Sequence, residues 1–155
     1  MREAEVLRAL AVRAQTLAVA ESLTGGLLAA SLVEVPGASR VFRGGLVVYA
    51  TDLKASLAAV PADQLAERGP VDPDVALAMA AGARERCGAT WGLATTGVAG
   101  PEPQNGVPVG TVYVACSGPD PSAARVRRLD LTGDRATIRR AAVDAALDLL
   151  LTALA

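Results

Sequence analysis

Histidine is missing from all 155 residues of this chain. Its absence excludes a Ser-His-Asp triad, a Cys-His pair and a histidine-ligated zinc built from this chain alone. Lysine is nearly missing as well: Lys54 is the single one among 15 basic residues, the rest being arginine. Aromatic side chains are few, namely Phe42, Tyr49, Trp91 and Tyr113. The two cysteines, Cys87 and Cys116, lack metal-site spacing and read as reduced thiols of a cytoplasmic protein. No metal and no cofactor are expected. No apolar run reaches the length of a membrane span, and the opening "MREAEVLRALAVRAQ" reads as an amphipathic helix, so neither a signal peptide nor a membrane partner is expected. A net charge of −1 supplies no basic face for nucleic acid. Arg125, Arg127 and Arg128 alternate with apolar residues, as the solvated face of an edge strand would.

What is present is a core. Just over half of the residues are hydrophobic, mostly Ala, Val and Leu, enough for one domain over residues 1–155. Helical spacing of Val6, Leu7, Leu10 and Ala14 predicts a helix over 2–14. Short apolar runs predict strands at 16–20, 45–50 and 91–96, with a helix at 25–34 and a short helical piece at 54–59. Pro61 and Gly69 bracket another helix, and Asp72 before Pro73 caps a long one over 73–87. Late in the chain, "TVYVAC" and "ARVRRLDL" flank the turn "SGPDPS" as an antiparallel hairpin, before a closing helix capped by Thr132 or Asp134. Helices interleaved with strands, then a hairpin, predict a single three-layer α/β/α domain with a mixed, mostly parallel sheet.

Ligands in such folds gather at the carboxyl ends of the strands. Three segments leave strands there. "ESLTGG" places Ser22 in a turn and Gly25 and Gly26 at a helix start, where backbone amides favour an anion or a developing oxyanion. Its plainer reading is a capped helix with Glu21 in solvent. "VVYATDLK" brings Tyr49 and Lys54. Without histidine, the base for a serine nucleophile would be a lysine amine held neutral by desolvation or by nearby positive charge, and arginine cannot take that part. The plainer reading makes Lys54 a surface side chain that starts a helix, and Tyr49 core with its hydroxyl in water. "TTGVAGP" offers the hydroxyls and amides of Thr95, Thr96, Gly97 and Gly100 to a phosphate or carbonyl. Finally, "TGDRATIRR" sets Arg135 and Arg139 one helical turn apart, either as a phosphate clamp or as a solvated face.

Together, "AESLTGGLLAASLVEVPGASRVFRGGLVVYATDLK", "GPVDPDVALAMAAGAR", "TTGVAGP" and "PVGTVYVA" resemble the CinA C-terminal domain family, in the same order and over nearly the whole chain. That family includes stand-alone nicotinamide-nucleotide amidases. The resemblance implies deamidation of nicotinamide mononucleotide, a small-molecule nucleotide, to nicotinate mononucleotide and ammonia. It makes Ser22 the nucleophile and Lys54 the base, with Tyr49 beside them. It puts the oxyanion on amides near Thr24, Gly25 and Gly26, and substrate contacts at Thr96, Gly97, Arg135 and Arg139. An alternative is a pyridine-nucleotide-binding module without turnover. Family members also occur fused behind a molybdopterin-binding-like domain, of which this sequence has no trace, so the stand-alone form is expected. The Ala/Leu-rich closing helix leads us to expect a homo-oligomer. Three departures stand out: Leu23 replaces a usual Cys, Asp72 a frequent Ser, and "EPQNGVP" a glycine-rich tract.

Overall fold

The computed structural model describes residues 1–155. One five-stranded sheet runs through it, built from β1 (Leu17–Glu21), β2 (Phe42–Val47), β3 (Trp91–Gly97), β4 (Thr111–Ser117) and β5 (Arg125–Asp130) in the order β2-β1-β3-β4-β5. β1 is parallel to β2 and β3, whereas β3–β4 and β4–β5 are antiparallel. The sheet is therefore mixed, as expected, with its parallel half at one side and the hairpin at the other. β1 and β3 open as apolar runs and are buried almost throughout because both of their faces are covered. β2 and β5 are the edges, and β5 points Arg125, Arg127 and Arg128 into solvent.

Helices α1 (Arg2–Val12), α2 (Leu27–Val33) and α6 (Arg135–Leu154) cover one face, and α3 (Thr51–Ser56), α4 (Ala62–Arg68) and α5 (Pro73–Arg86) the other. The two faces differ in kind. Successive strand residues alternate sides, so Leu17, Val19, Leu93 and Val114 meet α6 while Ala18, Ala20, Ala94 and Ala115 meet α5. The alanine-rich side lets α5 lie close against the sheet. A methyl group on Gly92 would fall 1.8 Å from the Ala80 carbonyl oxygen, and one on Gly82 would fall 1.6 Å from that of Ala58. The high alanine content is thus a packing requirement of this layer.

Several boundaries differ from those read in the sequence. α1 stops at Val12, and Ala14 adopts a left-handed φ of 53°. α2 begins at Leu27, because Gly25 and Gly26 have φ of 56° and 102° and belong to a turn. β2 lies three residues earlier than the apolar run implied. A register shift skips Arg43, and Gly45 packs on Val19, where a Cβ would lie 2.6 Å from the valine methyl. Asp72 caps α5 as expected, its carboxylate accepting from the amides of Asp74 and Val75 at 2.8 and 3.1 Å. Asp134 caps α6 through the Thr137 amide.

Glu21 is the unexpected residue. It ends β1, is fully buried, and meets no cation. α2 has glycine at its N-cap position and no capping side chain of its own. Glu21 supplies the missing acceptor from the strand: Oε1 accepts from the amides of Gly26 and Leu28 at 3.2 and 2.8 Å, and Oε2 from Ala29 at 3.0 Å. Its charge is favoured there by the positive end of the helix. The Thr24 hydroxyl donates to the same carboxylate at 2.6 Å and lies 2.8 Å from the Thr95 hydroxyl.

Two stability predictions follow from this packing. Gly92→Ala is expected to cost about 1–3 kcal/mol or more by forcing α5 off the sheet, and an unchanged urea midpoint would contradict the close approach. Glu21→Gln keeps the shape but sets an NH2 group against an amide donor. A loss of about 1–3 kcal/mol in urea unfolding is expected, and wild-type stability would show that the cap is dispensable.

Candidate active site

The carboxyl ends of the parallel strands β1, β2 and β3 open on the same edge of the sheet, and all three polar segments leave from it. Ser22 follows β1 directly and continues its pairing, donating its amide to the Thr95 carbonyl at 3.0 Å. Lys54 sits on α3, which starts four residues after β2 ends. Its side chain is 1 % exposed and reaches back beneath the Ser22 turn. Nζ lies 2.9 Å from Ser22 Oγ and 2.8 Å from the Val48 carbonyl oxygen.

No carboxylate pairs with this amine. Burial therefore acts on it without compensation and lowers its pKa from 10.5 to about 8. A neutral amine keeps two N–H groups and one lone pair. The Val48 carbonyl takes one N–H, which leaves the lone pair free to accept the Ser22 hydroxyl proton. Chemically, a hydroxyl and an amine so placed can exchange a proton, which is what a serine nucleophile with a lysine base requires.

Ser22 opens a tight turn closed by the Gly25 amide on the Ser22 carbonyl at 3.1 Å. Here the expected site residues divide. Thr24 is wholly buried, with its hydroxyl on Glu21 and Thr95. The amides of Gly25 and Gly26 are taken by the Ser22 carbonyl and by Glu21, so neither is free for an oxyanion, contrary to the sequence expectation. Arg139 stands outside the cavity wall and holds the turn from α6: Nε donates to the Leu23 carbonyl at 2.8 Å and one terminal nitrogen to that of Thr24 at 3.0 Å. These four residues frame the turn.

Ser22, Tyr49, Lys54, Thr96, Gly97 and Arg135 do come together, around an open cavity of about 450 Å³. Thr96 donates its hydroxyl to the Pro70 carbonyl at 2.6 Å and so ties the loop before α5 to the cavity floor. Arg135 spans the mouth, donating to the Gly100 carbonyl at 2.5 Å and to the Tyr49 hydroxyl at 3.0 Å. The amides of Ala99 and Gly100, which also line the cavity, donate to no group of the protein. The unusual "EPQNGVP" stretch forms the far wall. Gln104 and Val107 exchange backbone hydrogen bonds of 3.1 and 2.8 Å, which close it into a small loop that presents Glu102 and Gln104.

Glu21 is the residue that the sequence reading placed wrongly, as a solvated side chain. The available signal was a helix start without a capping side chain, immediately preceded by a strand-terminal acid. Leu23, where a cysteine was expected, is buried in the larger core cluster and also borders the cavity.

The profile of the CinA C-terminal domain matches residues 1–154. A CinA-like protein of Frankia casuarinae is 57 % identical over 148 residues, covering 96 % of this chain and 34 % of that protein. One from Myxococcus xanthus is 47 % identical over 150 residues, covering 95 % and 35 %. The chain thus spans about a third of the length of the curated relatives it matches. Among solved structures, a competence-damaged protein (CinA) superfamily protein of Klebsiella pneumoniae 700603 superposes with a TM-score of 0.94 at 32 % identity, covering 99 % of this chain and 95 % of that one. Its Escherichia coli counterpart gives 0.92 at 31 % identity, with coverage of 97 % and 87 %. By sequence, fold and motif order, the chain belongs to the CinA C-terminal domain family.

Proposed function

We propose that this chain is an amidohydrolase that converts nicotinamide mononucleotide and water into nicotinate mononucleotide and ammonia. One observation carries the reading: the sole lysine is buried, without a carboxylate, 2.9 Å from the hydroxyl of Ser22. Ser22 Oγ attacks the carboxamide carbon and passes its proton to Lys54 Nζ. As the tetrahedral intermediate collapses, Lys54 returns the proton to the departing nitrogen, and ammonia leaves an acyl ester on Ser22. A water molecule then attacks the ester while the neutral amine takes its proton, the bond between the acyl carbon and Ser22 Oγ breaks, and Lys54 returns that proton to Oγ as the carboxylate leaves.

The remainder of the cavity suits the rest of the substrate. Arg135, with the uncommitted amides of Ala99 and Gly100, makes a seat for a phosphate at the mouth. The ring of Tyr49, held by Arg135, provides a face for the pyridine. A second reading, nucleotide binding without turnover, draws on the rebuilt wall at 102–108. Thermal stabilisation by the nucleotide without ammonia release would favour it.

Ser22→Ala and Lys54→Arg are each expected to lower ammonia release by at least about a hundredfold while leaving the protein folded. An active Lys54→Arg protein would exclude a neutral lysine base, since guanidinium keeps its proton. The amine must be unprotonated to act, so kcat/KM is expected to rise with pH along a single-proton limb centred near 8, from the Lys54 pKa of about 8. A rate independent of pH between about 6 and 10, roughly two units either side of that midpoint, would contradict this assignment.

A further inference from the structure

We propose that Arg139 is a positioning residue that sets the oxyanion hole, by turning the Leu23 amide toward the acyl carbon held at Ser22. The inference rests on the serine mechanism proposed above, and it assigns Arg139 a part different from the phosphate contact expected from sequence.

The geometry follows from the peptide unit itself. In a trans peptide the C=O and the adjoining N–H point in opposite directions. Arg139 draws the Thr24 carbonyl toward α6 at 3.0 Å, and the Gly25 N–H on the same peptide turns the other way, onto the Ser22 carbonyl at 3.1 Å. With the Ser22 carbonyl so engaged, its own partner, the Leu23 N–H, faces away from the turn. The second donor of Arg139, at 2.8 Å from the Leu23 carbonyl, locks the next peptide plane in the same sense. A Cβ on Gly25 would stand 3.5 Å from the guanidinium, so the turn and the arginine are in direct contact.

An independent observation points to the same amide. The amides of Gly25 to Ala29 all donate within the protein, two of them to the turn's own carbonyls and three to Glu21. The Leu23 amide donates to nothing. Leu23 lines the cavity next to Ser22, although it belongs to the larger core cluster and is 4 % exposed. The Thr24 amide is also uncommitted, but that residue has no exposed surface. An amide directly after the nucleophile is a recurrent oxyanion donor. The guanidinium polarises the Thr24–Gly25 peptide, whose N–H in turn polarises the Ser22 carbonyl, and the Leu23 N–H on that carbonyl's peptide is strengthened through this chain.

The test uses the full chain with two substrates, nicotinamide mononucleotide and p-nitrophenyl acetate. With the ester, the bond from Ser22 Oγ to the acetyl carbon forms, the acyl–oxygen bond breaks, nitrophenolate leaves with the electron pair, and the hydroxyl proton passes to Lys54. For Arg139→Met we expect kcat on the nucleotide and the ester acylation rate to fall together by about tenfold or more. KM should stay within about twofold, and the acid limb should stay near the Lys54 value of about 8. Arg139→Lys, which keeps the charge but can serve the two carbonyls only imperfectly, should fall between, and it carries the test if the methionine variant fails to fold. A raised KM with unchanged kcat would assign Arg139 to the phosphate and overturn the proposal, as would ester acylation at the wild-type rate. A wild type that is acylated by the ester yet releases no ammonia from the nucleotide would refute the proposed substrate alone, because the ester arm still reads the effect of Arg139. A wild type inert to both would refute both.

Discussion

A primary amine taken out of water with no counter-ion is the constraint around which this molecule is arranged. An ordinary lysine would stay protonated and be useless as a base. Lys54 is instead enclosed between the Ser22 turn, the end of β2 and the alanine-rich layer under α5, with one carbonyl as its fixed acceptor. Any carboxylate nearby would restore the charged form. Consistent with that, the one buried acid of the same region, Glu21, turns its oxygens to the amides of α2 and to Thr24. Burial of the amine destabilises its charged form, and the large apolar core on the α6 side is what offsets such a cost.

The turn that carries Ser22 is gripped at both of its electrical poles. Glu21 collects N–H groups from below and Arg139 collects C=O groups from α6. Neither side chain lines the cavity, and yet together they leave little freedom to the peptide planes beside the nucleophile. This division explains why a loop rich in glycine can be rigid. Gly25 and Gly26 allow the left-handed backbone, and the charged pair holds it.

Much of this was legible from residue type. The long apolar runs at β1 and β3, the Asp-Pro start of α5 and the late hairpin each carry a local signal, and each was found in its place. The choice of lysine in a chain otherwise reliant on arginine singled out the amine that lies beside Ser22, since only one of the two residue types can lose a proton. What escaped was set by distant contacts. β2 was displaced because Gly45 packs on Val19, a property of the neighbouring strand. Glu21 looked solvated because nothing within the "ESLTGG" stretch says that the following helix will close over it. Arg135 and Arg139 share a helix face in sequence, but the sheet edge separates them: one reaches the cavity mouth and the other the back of the turn.

Because Lys54 is the only lysine, protein labelled with carbon-13 and nitrogen-15 in lysine alone gives one side-chain signal, and its titration can be followed directly by nuclear magnetic resonance. The account predicts a midpoint near 8, the value that burial imposes on this amine. A midpoint near the ordinary 10.5 would leave Ser22 without a base at neutral pH and would contradict the mechanism at its centre.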